Sequence, residues 1–210
     1  MNIYQCDAIK FSYIDAQHES VNNYLLNKVK EDGKYSLHPF EESIDSMFDK
    51  KNSATPQVYK SDAALKAVFF PCPFTTGTIM ISNIIDGWET LCFQMSEGIG
   101  VNVFVFRFDV SKDECAMNSL LYMENGNAKR VIYAMKDPKW KFFQMGAPLW
   151  FENEDFYKEK TIAKRINKSI IIDYCKKLNV MIDDENFCGV KKEASLFQMH
   201  LSVIGSKTSI

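Results

Sequence analysis

The side chains able to do chemistry are few and scattered. Three histidines (His18, His38, His200) and six cysteines (Cys6, Cys72, Cys92, Cys115, Cys175, Cys188) supply the bases and nucleophiles a hydrolase would need. Such an enzyme requires a nucleophile, a base and an orienting group within hydrogen-bond reach of one another. No GxSxG elbow, HExxH pair, Walker loop or GxGxxG turn supplies that order along this chain. Gly98-x-Gly100 is too short to count and leads toward a strand rather than a helix. No two cysteines form a CxxC pair, so the spacing offers no zinc site, and the thiols read as buried packing groups. An enzyme would have to assemble its site in space, with Cys72 or His38 as the residues to watch.

Acidic residues give a more regular pattern. In PFEESIDSMFDKK, Phe40, Ile44, Met47 and Phe48 fall at helical spacing, and Pro39 suits a first helical turn. The same spacing sets Glu41, Asp45 and Asp49 along another face, with Glu42 beside them. The ordinary meaning of such a face is solvation. The sharper one is a surface for a basic partner.

These groups need a scaffold, and the stretch 101–152 provides it. VNVFVFRF places Val101, Val103 and Val105 on one side and Phe104, Phe106 and Phe108 on the other, the mark of an interior strand. Asn125-Gly126 tolerates positive φ at both turn positions and joins 120–124 to 129–135 as a hairpin. Asp137-Pro138 marks the next turn. Lys139 to Phe143 then alternates, with Trp140 and Phe142 facing one way and lysines the other. Gly146 and Pro148 end the meander. The expected fold is α+β, an antiparallel β-sheet built around residues 101–152, with helices packed on one face and no internal domain boundary in residues 1–210.

Other elements follow in order. A short strand is expected over 9–14, a helix over 19–30, apolar strands near 63–70 and 76–82, and a helix over 86–98. Asp86 and Glu89 fit a capping box for that helix, and Gly98 a stop. Asn153 would open a helix running to about Ile166, and Ser169 would cap the next, closed by Asn179. Residues 194–203 are less regular and are open to two readings, a last strand or a packed loop.

At 210 residues, 46% hydrophobic and 13% aromatic, the chain can bury a large core. No run approaches the roughly 20 apolar residues of a membrane span, and no basic-then-apolar leader opens the sequence, so a cytoplasmic location is expected. The net charge of −2 hides an asymmetry: residues 1–126 hold 10 Lys+Arg against 17 Asp+Glu, and residues 127–210 hold 15 against 10. Opposite halves can pair within the fold, or the acidic half can steer a basic partner. The KWKFF alternation resembles a nucleic-acid stacking platform, but a pI of about 6.0 argues against one.

Taken together, GWETL at 87–91, YMENGNAKRVIYAMKDPKWKFFQMGAPLWFENEDFY at 122–157 and IAKRINKSIIIDYCKKLNV at 162–180 resemble bacterial immunity proteins of polymorphic toxin systems. The matching positions are Gly87, Trp88, Tyr122, Gly126, Arg130, Trp140, Gly146, Pro148, Phe151, Glu152, Tyr157, Arg165 and Tyr174, within residues 85–182. The resemblance implies a protein without catalytic residues or cofactors that binds and neutralises a cognate protein toxin. Immunity proteins vary most where they face the toxin, so the matching positions hold the fold. That reasoning points to Glu41, Glu42, Asp45 and Asp49 as the toxin-facing residues, suited to a basic nuclease. The alternatives from other classes are an enzyme with a spatially assembled site and a small-ligand or adaptor module.

Overall fold

The computed structural model describes residues 6–42, 44, 65–84, 86–110, 115–185, 187–188 and 193–200. The strands are β1 (Ala8–Ile14), β2 (Tyr35–Pro39), β3 (Leu65–Pro71), β4 (Thr78–Ser82), β5 (Val103–Asp109), β6 (Met117–Glu124), β7 (Asn127–Asp137), β8 (Lys139–Met145) and β9 (Ser195–Met199). They form one nine-stranded sheet in the order β2-β9-β3-β4-β1-β5-β6-β7-β8, with every pairing antiparallel. The helices are α1 (His18–Glu31), α2 (Glu89–Met95), α3 (Ile162–Arg165) and α4 (Lys168–Lys177). The fold is α+β, as expected.

Residues 101–152 form one half of that sheet. β5 lies in its interior, and its side chains divide as the alternation requires. Phe104, Phe106 and Phe108 enter one core with Ile132, Ala134 and the α4 residues Ile171, Tyr174 and Cys175. Val103 and Val105 enter a second core with Val21 and Leu25 of α1 and Leu91, Cys92 and Met95 of α2. Helices therefore cover both faces of the sheet rather than one. The cause is in the strands: β3 sends Val68 and Phe70 to one face and Ala67 and Phe69 to the other, and β5 divides its phenylalanines and valines likewise, so both faces need a cover. At the β6–β7 hairpin, Asn125 has φ 49° and Gly126 φ 67°, the pair of left-handed residues that a type I′ turn demands.

Several local expectations are corrected. Pro39 does not open a helix; it is the last residue of β2, and the Phe40 amide continues toward Ala194. A proline is tolerated there because β2 is an edge strand. The Asp86–Glu89 capping box does not form. Asp86 accepts from the Trp88 amide at 2.8 Å, Trp88 adopts a left-handed φ of 58°, and Glu89 turns instead to Lys10 at 2.5 Å. Gly98 does not stop the helix, which widens into a π-helical turn, Ser96–Gly100, ending where Gly100 reaches φ 71°. The long helix expected from Asn153 is broken. The Asn153 side chain closes a local turn on the Asp155 amide, a 3-10 turn spans Phe156–Lys158, and extended Thr161 intervenes before the four-residue α3. Asn167, not Ser169, caps α4 by accepting from the Ile170 amide at 3.2 Å. Asn179 does close it, at φ 57°.

The last strand is the largest departure from sequence order. β9 inserts between β2 and β3, pairing with Tyr35–Pro39 on one side and Leu65–Phe69 on the other. Phe197 from this strand is wholly buried and stacks on Tyr35 at 5.0 Å.

Candidate partner-binding surface

The two cores do not extend equally far across the sheet. On the first face, Ile132 and Ala134 of β7 are buried, and Trp140 and Phe142 of β8 pack against the same core. On the second face, the register brings Val131 beside Met145, Tyr133 beside Phe143 and Met135 beside Lys141. No described helix covers these residues, and none of them belongs to either core. Phe143 and Met145 are 43% and 44% exposed. Tyr133 and Phe143 stack on each other with centroids 5.2 Å apart. Lys139 and Lys141, in phase with Phe143 along β8, are exposed beside this apolar strip, and Lys141 meets Asp137 at 3.1 Å. β8 is the end of the sheet, so its outer backbone edge has no neighbouring strand among the described residues.

Immediately after β8 the chain enters a segment held by a buried ion pair. Arg130 Nε donates to both oxygens of Glu152, at 3.0 and 3.2 Å, and Nη2 reaches Oε2 at 2.8 Å. The remaining guanidinium hydrogens go to the Gly146 carbonyl at 2.7 Å, the Met145 carbonyl at 3.3 Å and Gln144 Oε1 at 3.0 Å. Glu152 also accepts from the Leu149 amide at 2.9 Å and from the Tyr157 hydroxyl at 2.8 Å. The hydroxyls of Tyr157 and Tyr174 lie 2.7 Å apart. Burial lowers the proton affinity of Arg130, but the Glu152 bond and charge outweigh it and hold the guanidinium above its ordinary value. Burial, with the neighbouring Tyr174 and Glu152, pushes the Tyr157 phenol up. Among the described residues every buried side-chain polar atom has a partner.

Of the residues singled out for partner binding, Glu41 and Glu42 are exposed just after β2, at the opposite end of the sheet from β8. Asp45 and Asp49 lie outside the described residues. Cys72 is buried in the first core, 3% exposed, whereas His38 is exposed on β2. The register aligns His38 with Leu196 and Val68, so Cys72 lies two strands across and four residues further along. The structure does not bring the two together.

It does bring together a group that the sequence does not announce. His18, Asn22 and Ser195 close a ring of hydrogen bonds. The Asn22 amide donates to His18 Nδ1 at 3.4 Å, Ser195 Oγ lies 3.3 Å from His18 Nε2, and Ser195 donates to Asn22 Oδ1 at 2.6 Å. His18 Nε2 also faces the Phe69 carbonyl at 3.3 Å, which assigns the hydrogen to that nitrogen. The pattern runs the wrong way for general-base catalysis: Nε2 already carries a proton, and the serine proton goes to the asparagine. The ring ties α1 to β9 and β3. Among the described residues no group of His, Cys, Asp and Glu could hold a metal ion, and no helix is long and apolar enough to cross a membrane.

No family model, curated protein or solved structure compared with the chain matches it.

Proposed function

We propose that this protein is a non-enzymatic binding protein of the immunity type, which neutralises a cognate protein toxin by stoichiometric contact through the uncovered face of β7 and β8. The observation that carries the reading is the stacked Tyr133–Phe143 pair, flanked by Val131 and Met145, on a part of the sheet that no described helix covers. A folded chain that buries aromatics on one face of two strands and leaves them half-open on the other retains unburied apolar area that a partner can cover. Aromatic and methionine side chains are the types enriched at the centres of protein interfaces. The exposed Lys139 and Lys141 at the margin favour a toxin with carboxylates around an apolar centre.

A basic toxin, such as a nuclease, would instead meet Glu41 and Glu42. Both are exposed, and that surface is the second reading. The two are separable in one experiment. The product of the adjacent gene is expressed with and without this protein, growth is scored, and the purified pair is titrated by calorimetry. The reading expects growth arrest relieved by co-expression and a complex of fixed stoichiometry. Replacing Tyr133 and Phe143 by alanine should weaken it by at least roughly tenfold. Loss of affinity and of salt dependence only in the E41K/E42K variant would move the contact to the β2 edge. Growth arrest without rescue would remove the immunity reading altogether.

A further inference from the structure

The most exposed large apolar side chain of the described residues is Trp150, at 75%, yet it sits in a segment held by hydrogen bonds on both sides. Its neighbour Phe151 is 2% exposed in the first core. The Glu152 amide donates to the Leu149 carbonyl at 2.9 Å, and the Glu152 carboxylate takes the Leu149 amide in return at 2.9 Å. Arg130 grips the Gly146 carbonyl on the incoming side, and Lys177 donates to the Phe151 carbonyl at 3.1 Å on the outgoing side. The Trp150 ring rests edge-on against Phe151, with centroids 5.5 Å apart. An indole in water forgoes burial that would favour the fold, since a tryptophan can bury about 150–250 Å². Here the backbone on both sides is fixed so that the ring stays out.

We propose that Trp150 is the anchor this protein inserts into an apolar pocket of its partner, with Arg130 and Glu152 as positioning residues that hold it ready. The proposal rests on the reading of the chain as a binding protein, and it names where the binding energy concentrates. Tryptophan is the side chain most enriched among residues that dominate interface energies. Fixing it beforehand removes part of the ordering cost of association. The segment leads directly from Met145 at the end of the open strip, so anchor and strip lie on one continuous stretch of chain. The occupant is the cognate protein, with an apolar pocket for the indole; Lys139 and Lys141 stand at the other end of β8 from this segment. A second copy of this chain is the competing occupant.

The test uses the full chain and the adjacent gene's product. Trp150→Ala should leave the unfolding midpoint within about 1 °C, since little of the ring is buried, and should weaken the complex by about a hundredfold or more. Trp150→Phe should recover part of that loss. A complex that forms with wild type and equally well, within about threefold, with Trp150→Ala overturns the anchor while leaving the immunity reading intact. Absence of any wild-type complex overturns both. Self-association of the free chain that disappears in Trp150→Ala overturns the assigned occupant in favour of a second copy. For the positioning pair, the chain is labelled with 5-fluorotryptophan and the Trp150 resonance is assigned with Trp150→Phe. Glu152→Gln should collapse the Trp150 signal toward the random-coil position while the Trp88 and Trp140 signals keep their native shifts. An unmoved Trp150 signal in folded Glu152→Gln overturns the positioning role.

Discussion

Arg130 and Glu152 form a bidentate pair in which neither side chain meets water, at 2% and 0% exposure. The pair joins β7 to the segment after β8, and through Tyr157 and Tyr174 it reaches α4. Burying two charges is offset only when every remaining lone pair and hydrogen is satisfied, and here Gln144, Leu149, Met145 and Gly146 complete the set.

Removing one partner should therefore cost more than removing a surface ion pair. Glu152→Gln leaves a buried guanidinium without its counter-charge and is expected to destabilise the protein by about 3–5 kcal/mol. Exposed Lys158→Ala, which breaks only the contact with Asp155, serves as the control and should scarcely move the midpoint. Replacing both partners at once, Arg130→Met with Glu152→Leu, should not restore stability. The Leu149 amide and the Met145 and Gly146 carbonyls would lose their partners, each at about 1–3 kcal/mol. Urea unfolding of the variants checks the order.

Gly146 and Gly100 separate steric from conformational cost. Both have positive φ, 83° and 71°. A Cβ on Gly146 would stand 1.8 Å from the Lys129 carbonyl oxygen, a backbone atom, whereas one on Gly100 would meet nothing within 4 Å. Gly100→Ala should cost only the left-handed backbone, about 1 kcal/mol. Gly146→Ala should cost that plus a displacement of the hairpin, about 2–5 kcal/mol together. Equal midpoints in thermal unfolding would contradict the clash.

Local chemistry made the meander legible. Asn125-Gly126, Asp137-Pro138 and the Val/Phe alternation of 103–108 each determine structure within a few residues, and the sheet forms as they require. What escaped was non-local. Nothing in residues 195–199 says that they insert between β2 and β3, because strand order is chosen by how both faces become covered. The 39–51 pattern suggested a helix opened by Pro39, but pairing with β9 captured that proline into an edge strand. Arg130 and Glu152 are 22 positions apart with no periodic relation, so their pairing follows from the hairpin and the turn at Gly146 rather than from spacing. The exposed strip was half visible. The alternation at 139–143 separates Trp140 and Phe142 from the lysines, and it continues beyond Phe143. Phe143 and Met145 continue the lysine face as apolar residues, so that face passes from solvated to apolar along β8.

His18 should make stability pH-dependent. Burial pushes its imidazole below the ordinary value, against the Phe69 carbonyl bond and the charge of Glu193, which push it up. The folded protein therefore holds the neutral ring more strongly than the unfolded chain, whose value is about 6.5. That contribution is fully present above the unfolded value and is lost as pH falls through the folded one, since the unfolded state then binds more protons. Protonation would also place a hydrogen on Nδ1, facing the Asn22 amide donor. Stability measured by urea unfolding should fall as pH drops below the unfolded value of about 6.5, and His18→Gln should flatten part of that slope. An unchanged slope in His18→Gln would assign the pH dependence to other groups.

Phe142 and Phe143 are sequence neighbours on opposite faces of β8, and they report which face is covered. Phe142 packs against Tyr157 with centroids 5.7 Å apart, and the Arg165 guanidinium lies over its ring at 5.3 Å from the centroid. Among the described residues Phe143 makes ring contact with Tyr133 alone and is 43% exposed. Phe142→Ala should then cost about 2–4 kcal/mol, toward the lower end for core aromatics because the site is half-buried. Phe143→Ala should cost no more than the cross-strand aromatic pair, about 0.5–1.5 kcal/mol. On the proposed function the binding effects should invert: Phe143→Ala weakens the proposed complex while the protein stays folded, and Phe142→Ala weakens it only as far as it unfolds the end of the sheet. Denaturation and calorimetry on the same two variants decide this. Should Phe143→Ala prove the more destabilising, the second face of β8 is covered after all, and the contact surface lies elsewhere.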